Sequence, residues 1–224
     1  MHRVLILVEG QTEERFVKSI LQPHLSAFDV HVEPKIVTTK RVKSGPDFKG
    51  GVTSFGKVEN DIRLLLGDTN AALITTMLDY YGLPSDFPGQ RQLQGSNSHD
   101  KAKELEAALE SHFQAAPRFL AHLMIHEFEA LLFSAPTVLA QVMNEPSAER
   151  HLQSIRNSFA TPEDINDDPV SKPSARVLGR FPGYQKVLHG PNTLSRIGLA
   201  TVRSECTHFN EWVTKLEAFG STST

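Results

Sequence analysis

The first pattern of hydrophobic and polar positions is an apolar β-branched run at residues 3–8 (RVLILV), suited to a strand buried on both faces. Gly10–Gln11–Thr12 then turns the chain, and Thr12 is placed to cap a helix whose first turn carries Glu13 and Glu14. Phe16, Val17, Ile20 and Leu21 give that helix an apolar face, with Pro23 near its end. Residues 30–38 read as a second strand, and residues 40–51 as a polar loop rich in Gly and Lys. A second helix follows Thr53–Ser54, with Val58, Ile62, Leu65 and Leu66 on one side. Residues 72–78 (ALITTML) form another buried strand, closed by Asp79 and a Gly- and Pro-rich stretch at 80–89.

Residues 99–113 place Ala102, Leu105, Ala108, Leu109 and Phe113 at helical spacing. Residues 119–125 are a fourth apolar stretch, read as a strand, and 129–133 begin a further helix. Strands alternating with helices predict an α/β fold with a mostly parallel sheet flanked by helices. Beyond about Pro136 the strand signal fades. Short helical patterns broken by Pro162, Pro169, Pro173 and Pro182 lead to an amphipathic last helix with Phe209, Trp212, Val213 and Leu216. The expected organisation is an α/β core over residues 1–135 and a helical C-terminal subdomain over 136–224 packed on it.

Composition narrows the class. With 39% hydrophobic and 22% charged residues, the 224-residue chain can fill a core and is not expected to be disordered. No apolar run approaches the roughly 18–20 residues that span a bilayer, and the first one is too short for a secretory signal. Cys206 is the only cysteine, which excludes an internal disulfide and a multi-cysteine zinc site. A cytoplasmic location is expected.

The net charge of −3 excludes a wholly basic nucleic-acid binder, but the charge is segregated. Residues 34–58 carry Lys35, Lys40, Arg41, Lys43, Lys49 and Lys57 against Asp47 alone. Residues 171–203 carry Lys172, Arg176, Arg180, Lys186, Arg196 and Arg203 and no acid. Elsewhere 11 basic residues face 25 acidic ones. Basic flanks meeting phosphates beside an acidic centre would produce this pattern, as would scattered solvated surface.

Ligands of open parallel sheets bind beyond the carboxyl ends of the strands. Glu9 follows the first strand, Asp79 the third, and Glu127 and Glu129 the fourth. One acid alone is a solvated strand end. Three converging carboxylates repel one another and call for a divalent cation, and hard oxygen ligands suit Mg²⁺ or Mn²⁺. Glu13 could ligate too, orient a water, or support the helix dipole. Lys40, Arg41 and Lys43, after the second strand, could steady backbone phosphates.

The segments VEGQTEERFV, LITTMLDYYGLPSDFPG and HEFEALLFS, with INDDPVSKPSARVL, FPGYQKVLHG and GLATVRSECTHFNEWVTKLE towards the end, resemble a bacterial family, domain of unknown function 4276. That family is Toprim-like and related to OLD-type nucleases, and the likeness covers nearly the whole chain. The resemblance implies a Glu-Gly pair after the first strand, matched by Glu9–Gly10, and an Asp-x-Asp after a later one. Asp79 matches the first aspartate of that motif; Tyr81 stands where the second belongs. Glu129, less well Glu127, resembles the further glutamate of OLD-like nucleases. The implied activity is Mg²⁺-dependent cleavage of DNA or RNA phosphodiesters. Glu9, Asp79 and Glu129 would be the metal ligands, and Lys40, Arg41, Lys43, Lys172, Arg176 and Lys186 the substrate contacts. It further implies anti-phage defence beside a partner ATPase. Whether the chain forms a homodimer stays open.

Two rival readings stand beside this one. Loss of the second aspartate at Tyr81 favours a degenerate Toprim-fold module that binds nucleic acid or an ATPase without catalysis. A metal-dependent phosphohydrolase acting on small molecules is weaker, since a small substrate needs few basic contacts. Other motifs are decoys. GVTSFGKV at residues 51–58 falls one residue short of a phosphate-binding loop, because Val58 has no hydroxyl for Mg²⁺. His122 and His126 lack an evident third zinc ligand beyond Glu127 or Glu129, and a buried structural histidine or a proton shuttle is the alternative. Tyr80 and Tyr81 could stack on a base or cover a core edge. Trp212 reads as core. Cys206 lacks an activating base, which His208 alone does not supply.

Overall fold

A computed structural model describes residues 1–38, 54–114, 118–165 and 168–221. Its centre is a parallel sheet of β1 (His2–Val8), β2 (Val30–Ile36), β3 (Leu73–Asp79), β4 (Phe119–Leu120) and β5 (Leu123–Met124). The order is β2-β1-β3-β4, with β5 also paired to β3. Every pair is parallel, with Val4 opposite Val32 on one side of β1 and Leu73 on the other.

The alternation of β1 decides what covers each face. Val4, Ile6 and Val8 point into one apolar cluster, and Leu5 and Leu7 into another, all fully buried. On the first face lie α1 (Gln11–Phe16) and α2 (Gln22–Ser26), which bring Phe16 and Leu25. The second face holds α3 (Phe55–Leu66) and α4 (Ser98–Phe113), through Val58, Ile62, Leu105 and Leu109. This is the doubly covered sheet that the near-continuous apolar strands require.

Between α1 and α2 a π turn at Val17–Leu21 carries the helix into Pro23. A proline inside a helix lacks an N–H and crowds the preceding turn, which this local widening relieves. The helix begins differently from the sequence expectation. Gly10, not Thr12, is the capping residue, and its backbone N–H donates to Glu13 Oε2 at 2.9 Å.

The expected fourth strand over 119–125 is also corrected: it is split in two. The N–H groups of Ala121 and Leu123 leave the ladder and donate to Glu110 Oε1 and Glu106 Oε1 of α4, at 2.9 and 2.7 Å. His122 pairs instead with the Thr76 hydroxyl, which accepts its N–H and donates to its carbonyl, both at 2.8 Å. The helix expected from Glu129 is a 3-10 turn, Phe128–Ser134.

Among the described residues after Pro136 there are helices and no strand: α5 (Pro136–Val142), α6 (Glu149–Asn157), α7 (Pro173–Arg180), α8 (Lys186–Ile197), α9 (Leu199–Glu205) and α10 (Thr207–Ser221). Leu139, Leu152, Val177, Leu194, Phe209 and Leu216 from these helices enter the same cluster as Val4 and Ile6. Among the described residues, no helix is long and apolar enough to cross a membrane.

Candidate functional site

From β1 the chain runs through α1 on one face to β2, and β3 lies on the other side of β1, so the strand order reverses there. Such a reversal leaves a crevice at the carboxyl ends of the strands. Glu9 and Asp79 stand at that end, both half-buried. The N–H of Asp79 donates to Glu9 Oε2 at 3.4 Å, and Asp79 Oδ1 accepts the N–H of Phe128 at 3.0 Å. One aspartate thus ties together the ends of β1, β3 and the turn that follows β5. His126, in the left-handed region at φ 64°, makes the bend that delivers Glu127 and Glu129. The carbonyl of His126 accepts the Tyr81 N–H at 2.8 Å.

The acids act on one another. Burial pushes Asp79 well above the usual carboxylate range, and the charges of Glu9, Glu13 and Glu129 add to it. Glu9 is raised by burial and by Glu127 and Glu129, against the Asp79 N–H and Lys186, which lower it. Burial lifts Glu13 to about 7, helped by Glu9 and Glu129. Glu129, almost fully buried, is raised by burial against the pull of Lys186. Lys186, at the start of α8, places Nζ 3.0 Å from Glu129 Oε1. Desolvation opposes its charge, but Glu129, Asp79 and Glu127 outweigh that and raise it. Lys186 thus offsets part of a crowded negative charge.

Glu127 has a different job. Its carboxylate accepts the Ser174 N–H at 2.8 Å and the Ser174 hydroxyl at 2.9 Å, and meets Lys172 Nζ at 2.9 Å. Burial alone would raise it; these three donors hold it below its ordinary value. It anchors the first turn of α7. Lys172 Nζ also lies 4.2 Å from the centroid of the Tyr81 ring, so a tyrosine carrying a cation sits where the resemblance expects a second aspartate.

The structure thus gathers Glu9, Glu13, Asp79 and Glu129 into one electrostatic neighbourhood, with Lys172 and Lys186 at its edge. Three ligand atoms within 4.8 Å of one another occur, among the described residues, only at Glu106, His122 and His208, so the acids do not hold that spacing in their present rotamers. The donor set is nonetheless all hard oxygen, and its excess charge is what a divalent cation would neutralise.

The rest of the basic stretch points elsewhere. Arg180 pairs with Glu145, Arg203 with Glu217, and Arg176 donates to the Ser171 carbonyl. Of the basic stretch, Lys172 and Lys186 thus stand beside the acids, whereas Arg176, Arg180 and Arg203 make contacts within the chain. Lys40, Arg41 and Lys43 lie outside the described residues, as do Gly51–Thr53 of the loop-like motif.

Tyr184 was missed by sequence reasoning. It is buried, its hydroxyl has no hydrogen-bond partner among the described residues, and its pKa is raised by burial and by Glu129, Glu13 and Glu127. A Cβ on Gly190 would come within 3.1 Å of that hydroxyl and 3.3 Å of the Phe128 ring. Glycine there lets α8 close over the site, a signal that the sequence alone does not distinguish from an ordinary helix glycine.

The model of a family described as a domain of unknown function (DUF4276) matches residues 8–217. No curated protein matches the chain. Among solved structures, two of the C-terminal region of the Xanthomonas campestris pv. campestris OLD protein are similar. The one phased with mercury has 17% identity and a TM-score of 0.41, over 96% of this chain and 98% of that one. The one phased with iodine has 17% identity and a TM-score of 0.38, over 96% and 97%.

Proposed function

The chain belongs to the family described as a domain of unknown function (DUF4276), and we propose that it is a Toprim-like, divalent-metal-dependent nuclease. The observation that carries this reading is the crowding of Glu9, Asp79, Glu13 and Glu129 at the carboxyl ends of β1 and β3, each raised by burial and by at least one of the others or Glu127. Buried carboxylates raised together at a strand-end crevice are the pattern of a functional site.

Glu9, Asp79 and Glu129 would hold Mg²⁺ or Mn²⁺. Such a cation polarises a phosphodiester and stabilises the leaving oxygen. Tyr81 in place of a second aspartate favours one cation over two. The protein's own groups supply the rest. Glu13 sits in the first turn of α1 beside Glu9, where it would act as a general base or orient a water. Lys186, with its side chain 46% exposed, can exchange Glu129 for a phosphate oxygen. The buried Tyr184 hydroxyl is a further donor facing the same acids. Nucleic acid is the substrate class, and a defence role beside an ATPase belongs to this reading.

The test is cleavage of plasmid, single-stranded DNA and tRNA by the purified protein in Mg²⁺ or Mn²⁺, alone and with any ATPase found encoded beside it. Metal-dependent cleavage that Asp79→Asn and Glu9→Gln abolish supports the proposal; equal cleavage by these variants ends it. The second reading, a binding module without catalysis, is favoured by the Lys172–Tyr81 contact. It predicts nucleic-acid binding without cleavage by the wild type under every condition.

A further inference from the structure

A second cluster lies away from the acids just described. Glu106 projects from α4, His122 from the break between β4 and β5, and His208 from the first turn of α10. Glu106 Oε1 lies 2.7 Å from His208 Nε2 and 3.5 Å from His122 Nδ1. One ligand atom from each residue lies within 4.8 Å of the others.

Several features hold these groups rigidly. Both backbone hydrogen-bonding groups of His122 are taken by the Thr76 hydroxyl. The His122 ring stacks on Trp212 at 4.4 Å and 6°, and on His208 at 5.1 Å and 26°. Trp212 is itself fixed by a 3.0 Å bond from Nε1 to Thr75 Oγ1. Glu163 accepts the N–H groups of His208 and Phe209, both at 2.9 Å, which sets the start of α10. An imidazole pair and a carboxylate are thus presented from three separate elements with little freedom to move.

The carboxylate at the centre of the cluster is crowded. Glu106 Oε1 already accepts the Leu123 N–H at 2.7 Å, so two imidazoles crowd an oxygen that is already engaged. The other ring nitrogens, His122 Nε2 and His208 Nδ1, are buried with no partner among the described residues. Both histidines are nearly inaccessible, at 2% and 4%. The cluster opens on one side to a cleft of about 300 Å³ lined by Lys103, Glu211 and Lys215, which gives an ion a way in.

We propose that Glu106, His122 and His208 form a transition-metal site of the Zn²⁺ class, with its fourth position towards the cleft. Two imidazoles and one carboxylate are a zinc donor set that leaves one position open. Zn–N and Zn–O distances near 2.0–2.1 Å put neighbouring ligands of a tetrahedral ion roughly 3.3 Å apart. Binding therefore widens the Glu106–His208 contact, with the ion taking the place of the hydrogen bond between them. The ion would lock α10 to α4 and to the sheet. This inference does not depend on the nuclease reading.

The experiment is Zn²⁺ titration of the full metal-stripped chain, followed by calorimetry and by thermal unfolding. Wild type should bind one Zn²⁺ that Asp79→Asn and Glu9→Gln leave in place, with a raised Tm. His208→Gln and Glu106→Gln should weaken that binding by more than about tenfold, at least the loss seen when a metal's outer partners are removed. If these variants fold, as judged by circular dichroism, and bind Zn²⁺ as wild type does, the proposal is overturned. If they do not fold, Co²⁺ added to wild type decides the question. Two paramagnetically shifted imidazole N–H resonances support the site, and their absence overturns it.

Discussion

The backbone N–H of Asp79 donates to Glu9 Oε2 at 3.4 Å, so the sheet itself holds the two acids at the ends of β1 and β3 next to one another. Burial and mutual repulsion raise both. Replacing either with its amide removes charge without removing an acceptor. The amide oxygen introduced at position 79 would still take the Phe128 N–H, and the one introduced at position 9 would still take the backbone N–H of Asp79. Asp79→Asn and Glu9→Gln should each raise the stability of the metal-free protein, because each removes a buried charge from the crowd. Urea denaturation in EDTA measures this; a loss of stability in both variants would contradict the crowding.

Glu13 gives the pH dependence its sign. Its folded pKa, about 7, lies above the ordinary 4.5, so the folded state holds the proton more tightly. The stability this group contributes is complete below about 4.5 and is lost as pH rises through about 7. The metal-free protein should therefore melt higher at about pH 5.5 than at about pH 7.5, and Glu13→Gln should flatten the difference. A Tm that rises over this range and is unaffected by Glu13→Gln would refute the assignment.

Lys186 compensates a glutamate that is only 2% exposed. Lys186→Met keeps the apolar stem and leaves Glu129 without its counter-charge. A loss of about 1–3 kcal/mol is expected in EDTA, discounted because the lysine end is partly solvated. Mg²⁺ should restore more stability to this variant than to wild type. Equal Mg²⁺ effects on both proteins would show that the ion does not reach Glu129.

Glu127 separates structure from chemistry. Glu127→Ala strands the Ser174 N–H, its hydroxyl and Lys172, and should cost about 2–3 kcal/mol. Metal affinity should stay unchanged in Glu127→Gln. A Glu127→Gln protein as weak for Mn²⁺ as Asp79→Asn would make Glu127 a ligand after all.

The sequence carried much of this arrangement, and unevenly. RVLILV is apolar on both faces, and a strand of that kind in a chain alternating with helices belongs inside a parallel sheet. The acids just past such strands are then placed at the sheet's carboxyl edge by geometry alone. The split at Ala121–His122 was not legible, because the N–H groups of Ala121 and Leu123 are taken by Glu110 and Glu106, side chains of a helix earlier in the chain. Nor were the partners of the basic stretch. Lys186 reaching Glu129, and Arg180 reaching Glu145, are long-range pairings that no local pattern encodes. The same holds for His208: only the packing of α10 brings it to His122.

Mn²⁺ binding to the purified protein, followed by electron paramagnetic resonance, tests most directly whether the acids at the ends of β1 and β3 share an ion. Wild type and His208→Gln should bind Mn²⁺ alike, while Asp79→Asn and Glu9→Gln should lose that binding. Mn²⁺ held equally by wild type and Asp79→Asn, or by neither, would contradict the metal site on which the proposed nuclease rests.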